Sequence, residues 1–280
     1  MPQLIGQSST RATLAYSRLA EWRDEPQVID QGIIMLCRYG SSRIRVDFVD
    51  WQLPTGAVIT LFPGDVVWLH DTSADFEVEL LRFDKELLRE ASVQLEQTVY
   101  SLLRADRCRN DCPIVTTIID NMFSLLKVYF SQHDCICLDQ LVLYQLKAFF
   151  LGFYDWIYRN RREQPALEGS QLIHDRFYDL MVALETNFMR SREVAFYASQ
   201  LSLSTKYLNS IVRRITGETA KTIIDRYVVM QLKLRLRDSG ESINQIAWDY
   251  NFSDTSFFCR YFKRHTGVSP MQFRALSREQ

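Results

Sequence analysis

The feature that most constrains this 280-residue chain is a segment that occurs twice, about fifty positions apart. Ser204 to Gly217 reads STKYLNSIVRRITG, and Asp254 to Gly267 reads DTSFFCRYFKRHTG. Each opens on a side-chain oxygen able to accept the free N–H groups of a first helical turn. Each closes on a glycine, which adopts the left-handed conformation that ends a helix. In the first copy Leu208, Ile211, Val212 and Ile215 recur at i, i+3, i+4 and i+7. In the second, Phe258, Tyr261 and Phe262 form the same apolar face. The opposite face carries Lys206, Asn209, Ser210 and Arg213 in one copy and Ser256, Cys259, Arg260 and Lys263 in the other. A helix that buries one stripe and turns short polar and cationic side chains outward suits a major groove. There Asn bonds adenine bidentately, and Arg or Lys reaches guanine or phosphate.

Each copy follows a shorter apolar segment, Glu193 to Leu201 and Ser242 to Tyr250. The first contains Ala195 and Ala198, and the second Ile243, Ile246 and Ala247; their small alanines leave room for a close helix crossing. Helix, tight turn, helix with a polar outer face predicts two helix-turn-helix units. Between them Thr219 to Arg237 is apolar at Ile223, Ile224, Tyr227, Leu232, Leu234 and Leu236. A helix there is about 28 Å long at ~1.5 Å per residue, against the ~34 Å between successive major grooves on one DNA face. The charge distribution agrees. Residues 171–280 hold 16 Lys and Arg against 11 Asp and Glu, whereas the whole chain is nearly neutral at -1. A basic C-terminal third behind an acidic remainder points to a polyanionic partner.

The N-terminal part has a different texture. Ile33 to Arg38, Ile44 to Phe48, Ala57 to Phe62, Val66 to His70 and Phe76 to Phe83 read as short strands. Leu53 to Gly56 and Phe62 to Asp65 read as turns between them. They predict a small β-barrel over about 30–83. Residues 84–104, 113–131 and 138–161 are long, nearly glycine-free and apolar at helical spacing. In the second of these, Ile118, Met122, Leu125, Leu126 and Tyr129 are expected on one side. The polar stretch around Arg159 to Ser170 separates the parts. The expected organisation is an N-terminal domain over 1–161, a linker over 162–172 and a DNA-binding domain over 173–280.

Several classes are disfavoured. The chain has no Ser/His/Asp order, phosphate-cradling glycine loop or zinc-ligand spacing. Its four histidines, His70, His133, His174 and His265, are scattered. No catalytic residue, metal or cofactor is expected. His133, Cys135 and Cys137 lie close together, but their spacing is not that of a zinc site. The six cysteines (Cys37, Cys108, Cys112, Cys135, Cys137 and Cys259) fit free thiols in a reducing cytosol. Met1 to Thr10 lacks a basic region followed by an apolar run, and Leu141 to Ile157 contains Lys147 and Asp155. A cytoplasmic protein without a membrane span is therefore expected.

The second copy carries a specific pattern. It reads Ile243-x-x-Ile246-Ala247, Asn251-Phe252-Ser253-Asp254, Ser256-Phe257-Phe258-Cys259-Arg260-Tyr261-Phe262-Lys263-Arg264, Gly267-Val268-Ser269-Pro270 and Phe273-Arg274. This resembles the AraC/XylS family of bacterial transcription regulators over about residues 174–276. The resemblance implies an α+β protein, with a cupin-like barrel and long helices followed by an all-α domain of two helix-turn-helix units joined by a linker helix. It implies promoter binding without catalysis, activation more than repression, a homodimer and contact with RNA polymerase. Base-contacting positions would fall on Thr205, Lys206, Asn209, Ser210 and Arg213, then on Thr255, Ser256, Cys259 and Arg260. Ser253 and Lys263 complete the set, with Lys263 and the backbone at the helix starts on phosphate. The chain departs from the family at the turn positions usually held by glycine, here Ser202 and Asn251, and at Leu232, where alanine is usual. The barrel fits either a small-molecule effector or a scaffold for dimerisation. His70 alone does not make the His-x-His and Glu cluster of a metal-dependent cupin enzyme. Without the resemblance, a small-molecule-binding protein and an interaction module with a degenerate helix-turn-helix domain also stay open.

Overall fold

The computed structural model describes residues 2–6, 9, 11–23, 26–92, 103–104, 107–109, 113–132, 135–161 and 167–278. They form two compact units, Met1–Asp175 and Arg176–Gln280. The division falls inside the helix Leu167–Asn187. Of the expected linker, residues 162–166 lie outside the described residues, and 167–172 begin that helix.

In the first unit two antiparallel sheets face each other. One has six strands, in the order β1 (Gln3–Leu4), β2 (Ala12–Ser17), β9 (Glu77–Phe83), β4 (Gly32–Tyr39), β7 (Val58–Leu61) and β10 (Cys108–Arg109). The other has four, in the order β3 (Gln27–Val28), β8 (Val66–His70), β5 (Ser41–Val46) and β6 (Val49–Pro54). Successive side chains of a strand point to opposite faces. Ile33, Met35 and Cys37 of β4 therefore enter the space between the sheets, with Ile44, Val46, Val67, Leu69, Phe76 and Leu80. Ile34 and Leu36 enter a second core, against helices α1 (Lys85–Ser92), α2 (Pro113–Ser131) and α3 (Leu138–Arg161). Burial on both faces explains why Gly32 to Cys37 is an unbroken apolar run and not an alternating one.

The sheet region extends beyond the expected 30–83. β1 and β2 precede it, and β10 returns after the helix α1 to pair with β7. β2 reads ATLAYS, where small alanines weaken the two-residue period. The strand expected over 44–48 stops at Val46. Asp47 and Phe48 turn the chain at φ 48° and 68°, both left-handed, as a two-residue hairpin requires. Aspartate is usual at the first position of that turn, but phenylalanine is not at the second, and tertiary bonds hold it. Asp47 Oδ1 accepts the Val66 N–H at 3.0 Å and its Oδ2 accepts Arg107 Nη2 at 2.5 Å. Arg107 also pairs with Asp65, which pairs in turn with Arg104 at 2.8 Å. The helix expected over 84–104 is α1 in its first part, while 93–102, 105 and 106 lie outside the described residues.

Helices α2 and α3 coincide with 113–131 and 138–161. The buried side of α2 differs from the expected one. Val115, Ile119, Met122, Phe123, Leu126 and Phe130 are buried, whereas Ile118 and Leu125 are exposed. Residues Ile114–Ser131 are long and apolar enough to cross a membrane by length and composition. Their buried face is nevertheless part of the core over the sheet, and charged residues fasten it. Arg38 joins Asp120 at 2.5 Å, and Lys127 joins the fully buried Glu79 of β9 at 3.1 Å. Cys37, Cys108, Cys135, Cys137 and Cys259 are free thiols, and Cys112 and His133 lie outside the described residues.

The second unit comprises α4 (Leu167–Asn187, from Arg176 onward), α5 (Val194–Gln200), α6 (Thr205–Thr216), α7 (Ala220–Asp238), α8 (Ile243–Asp249), α9 (Thr255–Thr266) and α10 (Pro270–Arg278). At its centre is α7, buried at Ile223, Ile224, Tyr227, Val228, Val229, Met230, Leu232 and Leu236. Leu232, at the family's alanine position, is fully buried.

The Asp47–Asp65–Arg104–Arg107 cluster yields a test. Burial, and then the neighbouring Asp65, push the Asp47 carboxyl above its usual range, with Arg107 opposing. The folded chain thus takes up this proton at higher pH than the unfolded chain does. The cost of an unpaired Asp47 must therefore shrink as pH falls from the raised value toward the ordinary carboxylate range. Arg107→Met is expected to lose about 3–5 kcal/mol of stability at pH 8 and less at pH 5. Urea unfolding at the two pH values checks it, and an equal loss at both would contradict the assignment.

Candidate nucleic-acid interface

The two helix-turn-helix units are built alike from local chemistry. Ser204 Oγ accepts the Tyr207 N–H at 3.1 Å, and Asp254 Oδ1 accepts that of Phe257 at 2.6 Å, so both second helices are capped as expected. That bond holds the Asp254 carboxyl below its ordinary range. Gly217 and Gly267 end the helices at φ 75° and 82°. At the turns, Ser202 and Asn251 both take the left-handed conformation, at φ 55° and 52°. Asparagine reaches it at low cost and serine at more. In each turn the next residue donates back into the preceding helix, Leu203 N to Ala198 O at 2.8 Å and Phe252 N to Ala247 O at 3.0 Å.

The repeat is not uniform. From α5 to α8 the offset is 49 residues, and from α6 to α9 it is 50. The extra residue lies in the second turn, between Asn251 and Asp254. At the crossings Ala198, Ile246 and Ala247 are buried, while Ala195 is exposed.

The apolar faces pack inward. Leu208, Ile211 and Val212 of α6, and Phe258, Tyr261 and Phe262 of α9, are buried, and Ile215 is half-buried. Tyr261 Oη donates to the buried Asp225 of α7 at 2.9 Å, and Lys221 pairs with the same carboxylate at 3.1 Å. Burial and Asp225 together push the Tyr261 phenol up, which keeps it a donor.

The opposite faces point outward. Thr205, Lys206, Ser210 and Arg213 of α6, and Ser253, Ser256, Arg260 and Lys263 at and along α9, are exposed. None of Lys206, Arg213, Arg260 and Lys263 forms an ion pair with another described residue. Thr255 is half-buried, its hydroxyl on Asn244 Oδ1 at 3.0 Å. Cys259 is half-buried, and burial pushes its thiol up.

Asn209 stands apart. It is half-buried, its Oδ1 accepts the Ala220 N–H at 3.0 Å and its Nδ2 donates to Thr205 O at 2.9 Å. Both ends of the amide are engaged within the domain, one of them capping the start of α7. The matching pair in the second unit is Cys259 and Pro270. Proline at the first position of α10 has no N–H to satisfy, so the cysteine there has no capping duty. Sequence reasoning also missed two exposed aromatics at matching positions, Tyr207 and Phe257. Their shared offset of fifty is the signal that would have found them.

Residues 197–276 match the family model of a helix-turn-helix domain. The HTH-type transcriptional activator RhaS of Escherichia fergusonii is 28% identical over 113 residues, 40% of this chain and 41% of that protein. The melibiose operon regulatory protein of Escherichia coli K12 is 26% identical over 146 residues, 51% of this chain and 48% of that protein. The C-terminal domain is of the AraC type. The chain spans about half or less of the length of these relatives. Among solved structures, fatty-acid-bound ToxT from Vibrio cholerae covers 96% of each chain at 17% identity and a TM-score of 0.45. An AraC-type transcriptional regulator from Chromobacterium violaceum covers 39% of this chain and 95% of its own at 19% identity and a TM-score of 0.34.

Within this AraC-type domain the roles of Asn209 and Cys259 are separable by stability. Asn209→Ala strands a buried N–H at Ala220 and is expected to cost about 1–3 kcal/mol. Cys259→Ala strands none and is expected to cost less. Thermal unfolding of the two variants decides it, and a larger loss for Cys259→Ala would refute the capping role.

Proposed function

We propose that this chain is a sequence-specific DNA-binding transcription regulator, a promoter activator that reads two adjacent major-groove segments through α6 and α9. One observation carries the reading. The two capped helices bury their apolar faces in one domain and leave four cations outward, unpaired by any described carboxylate. Thr205, Lys206, Ser210 and Arg213 form the first edge. Thr255, Ser256, Cys259 and Arg260 form the second, with Ser253 and Lys263 toward phosphate. Tyr207 and Phe257 add apolar surface suited to thymine methyl groups. Asn209 supports α7 in place of reading adenine. Binding, without turnover, is the activity assigned, with RNA polymerase as the partner that activation requires.

Lys206→Ala and Arg260→Ala are each expected to weaken specific binding by about 1–3 kcal/mol and to relax selectivity at one position. Gel-shift titration against duplexes enriched from a random-sequence library measures this. Affinity should also fall steeply with salt, because phosphate contacts release counterions. Salt-insensitive binding, or wild-type affinity in both variants, would favour an interaction module that keeps the fold without using it.

For the first unit we favour self-association over an effector inside the barrel. Apolar side chains fill the space between the sheets. One cleft among the described residues, lined by Glu21, Trp22, Gln27, Asp30, Gln31 and Arg82, has a volume of about 160 Å³, small for a ligand pocket. The exposed side of α2 presents Ile114, Ile118, Asn121, Leu125 and Val128. Their spacing of 4, 3, 4 and 3 is a coiled-coil seam with one polar residue at its centre. Antiparallel pairing about Asn121 sets Ile114 opposite Val128 of a second copy, a self-complementary contact. Ile118→Asp is expected to turn a dimer into a monomer with unchanged circular dichroism. Sedimentation equilibrium reads the outcome, and a variant that stays dimeric would exclude this seam.

A further inference from the structure

The segment entering the first helix-turn-helix unit is clamped onto the turn of the second. Arg192, just before α5, donates from Nη1 to Tyr250 O at 2.5 Å and from Nη2 to Asn251 O at 2.9 Å. Its guanidinium lies 3.9 Å from the centre of the Phe252 ring. The bond is returned, since Asn251 Nδ2 donates to Arg190 O at 2.9 Å. Lys221, at the start of α7, donates to Arg192 O at 2.8 Å. One side chain thus touches all three residues of a left-handed turn, Tyr250, Asn251 and Phe252, and its own backbone is held by the connecting helix.

The side-chain bonds of Arg192 run to the second turn and not to the helix beside it. Glu193, the residue that opens α5, makes no side-chain cap. Nor is Arg192 placed for an ion pair, as no carboxylate among the described residues bonds it. A guanidinium is half-buried here to hold the carbonyls that α8 leaves free beyond its last turn. Removing a cation from water is unfavourable unless its bonds replace the lost solvent, and the two carbonyls and the ring face do so. The fork geometry matters, because a planar guanidinium bridges two adjacent carbonyls from two nitrogens while its face stacks on a ring, and an ammonium offers a single nitrogen and no face.

We propose that Arg192 is a positioning residue. Acting through the Tyr250–Phe252 turn, it fixes the second recognition helix relative to the first and so sets the base-pair spacing between the two DNA segments. The inference rests on the DNA-reading function proposed above. It assigns the selection of spacing to a contact made outside the reading faces. Inserting or deleting one base pair turns one segment about a tenth of a helical turn relative to the other. A clamped pair of readers rejects that change, and an unclamped pair tolerates it.

The test uses the full chain and a duplex that the wild-type chain itself enriches from a random-sequence library. Versions of that duplex with one base pair inserted or deleted between the two segments are compared by fluorescence anisotropy. Wild type is expected to prefer the enriched spacing by about tenfold or more. Arg192→Met is expected to bind the enriched duplex about tenfold more weakly and to bind all three spacings within about twofold of each other. Arg192→Lys, which keeps the charge and loses the fork, is expected to lie between them. If circular dichroism shows Arg192→Met unfolded, Asn251→Gly serves. Glycine keeps the positive φ of the turn and removes the amide donor to Arg190, and reduced discrimination is again expected. A folded variant that keeps the wild-type preference, or that loses affinity equally at every spacing, would overturn the positioning role. If the wild-type chain enriches no duplex at all, the DNA-reading function itself fails, which is a separate and recognisable result.

Discussion

Burial of most of the helix Ala220–Asp238 is the constraint on which the C-terminal domain depends. Ile223, Ile224, Asp225, Tyr227, Val228, Val229 and Met230 are nearly consecutive and all buried, and Arg226 is the one residue among them that reaches solvent. Each fully buried aliphatic or aromatic side chain there contributes about 1.5–3 kcal/mol by leaving water. The helix provides the surface against which the second helices of both helix-turn-helix units lay their apolar faces. Their cationic edges point outward because their leucines, valines and phenylalanines are spent inward. Asp225 is tolerated in this interior because the Tyr261 hydroxyl and Lys221 replace its lost water.

Near-symmetry of the two units hides differences that carry meaning. The second turn is one residue longer. Asn209 caps Ala220, while the residue matching Ala220 in the second half is Pro270, which needs no cap, and the match of Asn209 is Cys259. An amide that could bond a nucleobase is thereby committed to holding a helix start, and the two outward edges are not equivalent. Arg192 breaks the symmetry further, because its bonds run from the lead-in of one unit to the turn of the other.

In the N-terminal unit a different economy applies. The strand Gly32–Tyr39 serves two cores at once, which an alternating strand cannot do. The buried Asp47, Asp65 and Arg107, with the half-buried Arg104, tie a hairpin turn, a strand entry and a segment some forty to sixty residues later into one place. Removing Arg107, which pairs with both carboxylates, leaves the buried Asp47 without its ion-pair partner.

Much of this was legible in the residues themselves. The helix ends at Ser204, Gly217, Asp254 and Gly267 follow from local hydrogen bonding and from the conformational freedom of glycine. The apolar faces of 204–217 and 254–267 follow from the helical period, and so do the helices 113–131 and 138–161. These properties depend on neighbours within about four positions, and a short window contains them. What only the tertiary structure decided was the use of each side chain among distant partners: Asn209 on Ala220, Ile118 and Leu125 turned out of the core, Asp47 and Phe48 held in a left-handed turn, and Arg192 on a turn nearly sixty positions away. Hydrogen bonds and packing act over a few ångströms of space whatever the separation along the chain. Residues of one type and one local pattern therefore meet different fates once the fold has chosen their neighbours.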